Sequence, residues 1–138
     1  MKNQTSYRLP FKTLGSLYGV VDQWHKAPGH RGLDFPVKSG SRIRSVSEGI
    51  VTGNGWSDVL GHYVIVRDAD GIYWGYNHMA KASKLKLDKK IRKGSSVGFV
   101  GSTGTASTGP HLHLTASKLP NGNFVGKTLD PLKLIKGE

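Results

Sequence analysis

Two histidines lie one residue apart in the segment STGPHLHLTAS, residues 107–117. Successive side chains of a β-strand point to opposite faces, so a strand here places His111 and His113 on the same face, about 7 Å apart along the backbone. Leu112 and Leu114 then face the core. Imidazole rings ligate divalent metal ions and transfer protons near neutral pH. The alternation therefore predicts two titratable rings on one wall of a cleft.

A second candidate pair, His30 and Asp34, lies in the segment PGHRGLDFP. Two glycines and two prolines in this segment argue against a helix, so a loop is expected to bring the imidazole and the carboxylate together. His78 follows at the end of a predicted strand. His25 is expected to be an ordinary loop residue, and His62 a residue near a strand end without a chemical role.

These residues together match the requirements of a catalytic zinc site, which has three protein ligands and an open position for water. The chain contains no cysteine, so any metal must be held by histidine, carboxylate or water. His30, Asp34 and one histidine of the HLH pair form such a set. The second histidine of that pair and His78 are then available as general base, general acid or oxyanion donor. The spacing leaves open which of His111 and His113 binds the metal.

The elements that must position these residues are short β-like runs separated by glycine turns. Residues 62–67 (HYVIVR) and 72–77 (IYWGYN) flank the turn DADG and predict a hairpin. No segment shows a convincing helical repeat. The pattern predicts an all-β or β-rich fold, with a single domain over residues 1–138. Further strands are predicted over residues 41–46, 49–52, 97–100 and 111–115.

Two further segments have the patterns of a turn and of a connection between strands. The GNG sequence at residues 53–55 predicts a turn that ends the strand at 49–52. Residues 81–93 hold 7 of the 20 basic residues and give no helical stripe, so they predict an exposed basic connection with a short strand at 85–87. Residues 18–28, 54–60 and 80–90 are expected to form the walls of a groove around the site.

Charge is the main bulk property of the chain, with a formal net charge of +11 at pH 7. Such a chain is attracted to polyanions, which include nucleic acid, anionic lipid and the phosphate-rich polymers of bacterial walls. The alternative is a solvated basic surface that keeps the protein soluble. No run of 18 apolar residues exists, and residues 1–19 contain no apolar stretch typical of a signal peptide.

The ordered motifs resemble those of the lysostaphin-type zinc peptidases, also called the LytM or M23 family. GHRGLDFP resembles the family's H-x-G-x-D segment, and YNH resembles its strand ending in tyrosine, one residue and histidine. KGSSVGFVGSTGTASTGPHLHL resembles its glycine-rich stretch ending in STGPHLH, and LDPLKLI resembles its closing D-P motif. Departures are Leu114-Thr115 after HLH, His62 in place of asparagine, and a bulkier approach to His78.

The resemblance implies a role for each site residue. It assigns one zinc ion to His30, Asp34 and His113. It assigns His111 to the base that acts on water, and His78 to stabilising the tetrahedral intermediate. It also implies a compact antiparallel β-sheet domain whose long loops form a substrate groove.

The implied activity is zinc-dependent hydrolysis of peptide bonds in the stems or cross-bridges of peptidoglycan, leading to lysis of the wall. Two alternatives remain open: a non-hydrolytic wall-binding or regulatory module of the same fold, and a basic β domain that binds nucleic acid, which would leave the histidine pattern unexplained. The apparent lack of a leader suggests a monomeric bacteriophage endolysin domain, made in the host cytoplasm and released at lysis, or an excised domain of a longer protein with a wall-binding domain after it.

Overall fold

The computed structural model describes residues 6–23, 25 and 27–137. Residues 1–5, part of the segment in which no leader is expected, lie outside the described residues. Eight strands and two short helices follow one another: β1 (Leu33–Phe35), β2 (Arg42–Arg44), β3 (Gly49–Ser57), β4 (Gly61–Arg67), β5 (Tyr73–Met79), β6 (Lys90–Ile91), β7 (Ser96–Phe99), β8 (Leu112–Ser117), α1 (Gly122–Val125) and α2 (Pro131–Lys136). No helix in these ranges is long and apolar enough to cross a membrane.

The main sheet has six strands in the order β1-β8-β5-β4-β3-β6, and every neighbouring pair is antiparallel. β2 and β7 form a second, two-stranded antiparallel sheet. The predicted hairpin corresponds to β4 and β5. The β-rich, antiparallel fold class predicted from the sequence is therefore confirmed.

Alternation along β1 and β8 separates the core from the site. Leu33 and Phe35 on β1, and Leu112 and Leu114 on β8, are fully buried. The residues between them, Asp34 and His113, point to the other face. The apolar residues of these two strands therefore fix which residues face away from the core.

The turn that closes the β4–β5 hairpin is held by one buried carboxylate. Asp68 accepts hydrogen bonds from the backbone N–H groups of Asp70 and Ile72, from the indole N–H of Trp74 and from the hydroxyl of Tyr7. The Tyr7 ring also packs on Trp74, with ring centroids 5.3 Å apart. The N-terminal segment is thereby attached to the hairpin.

The predicted turn at GNG is wrong, because β3 continues through residues 53–55 to Ser57. The glycines serve close packing between strands instead of a turn. A Cβ on Gly55 would lie 2.9 Å from the Tyr63 hydroxyl, and one on Gly53 would lie 3.3 Å from the Ile65 Cβ. The register between β3 and β4 also shifts between Val51 and Gly53.

The short strand predicted at residues 85–87 is also absent, and β6 forms at Lys90–Ile91 instead. Two short helices lie where no helix was predicted. In α2, the Asp130 side chain accepts from the N–H groups of Leu132 and Lys133, Pro131 occupies the first turn, and Gly137 ends the helix in a left-handed conformation. These are standard start and stop signals for a helix, too short here to show a periodic pattern.

Gly61 lies where the start of β4 meets the loop that carries Thr103. Its φ is +71°, and a Cβ there would lie 2.5 Å from the carbonyl carbon and oxygen of Thr103. Gly71 has a similar φ of +81°, but no atom lies within 4 Å of a Cβ built on it. A comparison of substitutions at the two glycines therefore separates the effect of backbone strain from that of crowding by Thr103.

We expect Gly61→Ala to destabilise the protein more than Gly71→Ala. Both variants incur the left-handed strain of about 1–2 kcal/mol, and Gly61→Ala must also displace the Thr103 backbone, which adds about 1–3 kcal/mol. Denaturant unfolding measures both free energies. Equal losses in the two variants would contradict the crowding at Gly61.

Candidate metal centre and active site

The site is built across three neighbouring strands. Asp34 on β1 lies opposite His113 on β8, and His113 in turn lies opposite Asn77 on β5. Side chains of directly opposed residues share a face of the sheet and approach within about 5 Å. The Asn77 amide donates to the His113 carbonyl oxygen at 2.9 Å, which fixes the backbone beneath the His113 ring.

Three donor atoms meet on this face. His113 Nδ1 lies 2.9 Å from Asp34 Oδ1 and 3.2 Å from His30 Nε2. His30 Nε2 lies 3.2 Å from Asp34 Oδ1, which closes the triangle. A tetrahedral zinc with bonds of about 2.0–2.1 Å holds its ligand atoms about 3.3 Å apart. The spacing and the donor types therefore suit one small divalent ion.

The glycine in the H-x-G-x-D segment allows His30 and Asp34 to reach His113. A Cβ on Gly32 would lie 2.5 Å from the Leu114 carbonyl oxygen and 2.8 Å from Cε1 of the His113 ring. A larger residue would push the loop away from β8. The backbone carbonyl of Leu17 lies 3.1 Å from His30 Nδ1 and accepts from it, so Nε2 is the ring nitrogen that faces Asp34.

Electrostatics at the triangle favour the metal-binding protonation states. Burial raises the pKa of the Asp34 carboxyl, but hydrogen bonds from His113 and His30 outweigh burial and hold this pKa well below its usual range. Burial lowers the pKa of His113, although Asp34 opposes the shift. At neutral pH the site thus presents an ionised carboxylate and a neutral His113 ring, as metal ligation requires.

His78 reaches the site through an unusual backbone conformation. Its φ is +61°, which is uncommon for a residue with a side chain. Two loops hold this conformation: the His78 N–H donates to Leu60 O at 2.7 Å, and His78 O accepts from the Gly101 N–H at 3.1 Å. The His78 ring centroid lies 4.9 Å from that of His111 and 5.6 Å from that of His113.

His78 and His111 each use Nδ1 to donate to a backbone carbonyl, Thr103 O at 2.7 Å and Gly109 O at 2.8 Å. A carbonyl oxygen only accepts hydrogen bonds, so Nδ1 carries the proton and Nε2 keeps its lone pair in both neutral rings. His111 Nε2 lies 3.8 Å from Asp34 Oδ1, beside the triangle. Burial, aided by the positive charge on protonated His113, lowers the pKa of His78 to about 4. The His78 ring is therefore neutral at neutral pH.

His25, which the sequence gave no reason to include, lies beside the triangle. Its ring centroid is 4.1 Å from that of His30, and ligand atoms of His25, His30 and Asp34 lie within 4.8 Å of one another. These three residues thus form an alternative ligand set. We prefer the set containing His113, because its mutual distances of 2.9–3.2 Å are shorter. His25 arrives on a loop, and no local spacing could have indicated this contact.

A cavity of about 860 Å³ surrounds the five predicted site residues, all of which line it. Of the three predicted groove walls, residues 18–28 contribute Asp22 and His25, and residues 54–60 contribute Ser57, Val59 and Leu60. The third wall was predicted wrongly, since no residue from 80–90 lines this cavity. Segments 105–110 and 123–126 complete the walls instead.

The chain belongs to peptidase family M23, whose family model matches residues 28–131. It is therefore a metallopeptidase domain by descent, in agreement with the strand arrangement and the donor set. The chain is 38% identical over 100 residues to the DD-carboxypeptidase/endopeptidase Mpg of Neisseria meningitidis serogroup B, covering 72% of this chain and 22% of that protein. It is 31% identical over 110 residues to lysostaphin of Staphylococcus simulans, covering 78% of this chain and 21% of lysostaphin. The chain thus spans about a fifth of the length of these curated relatives.

The fold agrees with that of a solved relative. The catalytic domain of the antimicrobial peptidase lysostaphin from Staphylococcus simulans superposes with a TM-score of 0.78 at 27% sequence identity. The match covers 94% of this chain and 92% of that domain. The architecture described above is therefore that of an M23 catalytic domain.

In the metal-free protein, we expect the free energy of unfolding to fall as the pH is lowered from about 6.5 to about 4. An unfolded histidine binds its proton near pH 6.5, whereas His78 in the folded state does so only near pH 4. The unfolded state therefore binds more protons in this window, so stability rises with pH through it. Urea unfolding at several pH values measures the slope.

The matched variants are His78→Asn, which removes this contribution, and His62→Asn, which replaces a histidine outside the site cavity. Asparagine tolerates the positive φ at position 78. The slope should decrease in the first variant and persist in the second. An unchanged slope in His78→Asn would show that His78 titrates normally in the folded protein.

Proposed function

We propose that this protein hydrolyses peptide bonds in bacterial peptidoglycan with one zinc ion held by His30, Asp34 and His113. The observation that carries the proposal is the triangle of two imidazole nitrogens and one carboxylate oxygen, with edges of 2.9–3.2 Å. The family is that of metallopeptidases, and relatives named as endopeptidases support the substrate class.

The donor set fits zinc better than the common alternatives. Calcium and magnesium prefer six or more oxygen ligands, whereas a site with two imidazoles and one carboxylate suits zinc. A zinc ion bound there would polarise a carbonyl oxygen and lower the pKa of water. His78 and His111 line the same cavity as the three donor residues.

His111 is the proposed general base. Its Nε2 carries a lone pair and lies 3.8 Å from Asp34 Oδ1, beside the position where water and substrate must meet. The bond from its Nδ1 to Gly109 O fixes the ring orientation and stabilises the charged ring after proton uptake. The same nitrogen can then return the proton to the departing amine.

His78 is the proposed group that stabilises the oxyanion. In its neutral form Nε2 is an acceptor, so the ring becomes a donor to an oxyanion only after it takes up a proton. A negative oxygen developing nearby raises the pKa of the ring, because an opposite charge favours the imidazolium form. Its rigid backbone and the short bond to Thr103 O keep the ring in place during this change.

The wider biological setting is also a proposal. We propose lysis of the wall, action as a monomeric bacteriophage endolysin domain and release from the host cytoplasm at lysis. The basic surface, with a formal net charge of +11 for the chain, would also be attracted to anionic wall polymers. A longer natural protein with a separate wall-binding domain is equally consistent, because the curated relatives extend well beyond the matched region.

The activity is tested by release of new free amino groups from purified peptidoglycan. We expect release that a chelator abolishes and added zinc restores, without new reducing sugar ends. Walls with different cross-bridges should be compared, because each offers a different scissile bond. A zinc-loaded protein that releases no amines from any of them would favour the non-hydrolytic module.

Substitutions should separate metal binding from catalysis. His30→Ala, Asp34→Ala and His113→Ala each remove a ligand, and should lose both bound zinc and amine release. His111→Ala should keep stoichiometric zinc while the rate falls about 10²–10⁴-fold, the usual contribution of a general base. Zinc content by elemental analysis and the initial rate of amine release measure the two effects.

His62→Ala is the control and should keep both properties, because His62 does not line the site cavity. His25→Ala should keep its zinc if His113 is the third ligand. If His25→Ala lost its zinc and His113→Ala kept it, the ligands would be His25, His30 and Asp34. Loss of zinc in His111→Ala with retention in His113→Ala would reverse the roles of the HLH pair.

A further inference from the structure

A second cavity, of about 500 Å³, lies apart from the proposed active site. Its lining comes from β2, from the connection after β5 and from β7. It shares no lining residue with the cavity around the histidines. We call it the basic cavity. The connection that forms its rim is the segment wrongly predicted to wall the active-site groove.

The basic cavity is lined by many positive charges without counter-charges. No acidic residue is among those that line it, and none of its five cations forms an ion pair with a carboxylate in the described part of the chain. Like charges gathered around a concave surface create a positive potential that attracts anions. The five cations belong to Arg42, Lys81, Lys84, Lys86 and Lys89.

Hydrogen bonds fix the rim from which the lysines project. The Ser83 hydroxyl donates to Val97 O of β7 at 2.6 Å. The Asn54 amide of β3 donates to Ser83 O at 3.1 Å and to Leu85 O at 2.6 Å. Leu85 is half-buried and packs against the core. The rim is therefore attached to both sheets, and the charges project from a defined surface.

An aromatic ring on β7 organises two of the cations. The Arg42 guanidinium carbon and the Lys81 ammonium nitrogen each lie 5.9 Å from the centroid of the Phe99 ring. Cation–π attraction of this kind holds the charged groups near the ring. No other aromatic residue lines the basic cavity within the described ranges.

We propose that the basic cavity binds a phosphodiester polymer of polyol units. Several fixed cations suit a ligand with repeated charges, since each phosphate neutralised releases counterions and adds to the affinity. Nucleic acid is disfavoured, because binding of single strands relies on several aromatic faces for base stacking, and the described lining of the basic cavity offers one aromatic residue, Phe99. The choice of a wall polymer among phosphodiesters rests on the proposed function, whereas anion binding at this cavity does not.

The basic cavity and the active site are joined by short stretches of chain. Lys81 follows His78 by three residues, and Phe99 precedes Gly101, whose N–H donates to His78 O. The two cavities nevertheless have separate linings, so a polymer and a peptide substrate can be bound at the same time. Binding at the basic cavity would hold the enzyme on its wall substrate without occupying the groove.

Direct binding to purified poly(glycerol phosphate) tests the proposal. The variant Lys81→Gln/Lys84→Gln/Lys89→Gln removes three charges from the basic cavity. The control Lys12→Gln/Lys118→Gln/Lys127→Gln removes three exposed charges that line neither cavity. All six side chains are exposed, so neither triple variant should disturb the core. Titration by fluorescence anisotropy at several salt concentrations gives Kd and its salt dependence.

We expect the cavity variant to bind at least about tenfold more weakly, with a salt slope smaller by about 2, as for three lost phosphate contacts to a flexible strand. The control variant should lose far less. Equal weakening in both variants would show that binding depends on net charge alone, and would overturn the proposed binding at the basic cavity. Tighter binding of oligothymidine with the same number of phosphates would overturn the choice of ligand.

The binding assay contains no peptidoglycan, so its outcome is independent of hydrolysis. Asp34→Ala should bind the polymer as the native protein does, because Asp34 lies in the other cavity. A native protein that cleaves peptidoglycan but does not bind poly(glycerol phosphate) would remove this inference and leave the proposed function intact. A native protein that binds poly(glycerol phosphate) but does not cleave peptidoglycan would leave this inference intact and remove the proposed function.

Discussion

The arrangement of the site depends on one pairing at the edge of the main sheet, between Asp34 on β1 and His113 on β8. β1 has only three residues, and its first and last side chains are buried in the core. A shift of this strand by one residue would turn Asp34 into the core and expose an apolar side chain. The hydrophobic core therefore specifies the register, and the register places the carboxylate beside the imidazole.

The remaining groups are positioned by loops that close around this pair. His30 lies close to His113 because Gly32 allows the chain to pass tightly over β8. His78 is held in its left-handed conformation by bonds to residues 60 and 101, and its ring by Thr103 O. A rigid frame of this kind suits catalysis, since ligands and proton-transfer groups keep their geometry with little reorganisation. The histidine rings are oriented mainly by backbone carbonyls, which cannot change protonation state.

Local patterns in the sequence predicted the part of this arrangement that local geometry controls. The alternation of HLHL predicted two histidines on one face and two leucines in the core, and both leucines are fully buried. The choice between His111 and His113 as ligand depends on the β1–β8 register, a contact between residues about eighty positions apart, which spacing within one segment cannot reveal. The approach of His25 depends in the same way on the path of a loop. The glycines of GNG were misinterpreted because close packing and tight turns both require glycine.

For the basic connection at residues 81–93, the sequence indicated the charge of the segment and not its location in the fold. Its charge was evident from the sequence, but its place in the fold was not, because hydrogen bonds from Asn54 and Ser83 direct it toward β7 and away from the histidines. The chain thus has two separate concave surfaces with different chemistry. One gathers imidazoles around a carboxylate, and the other gathers cations with no carboxylate among its described lining residues.

The most direct test of the central claim is a crystal structure of the zinc-loaded protein with anomalous diffraction data at the zinc edge. We expect a single strong anomalous peak within about 2.0–2.2 Å of His30 Nε2, Asp34 Oδ1 and His113 Nδ1. His25 and His111 should lie outside bonding distance. A peak bonded to His25 in place of His113, or no ordered zinc at the triangle, would contradict the account.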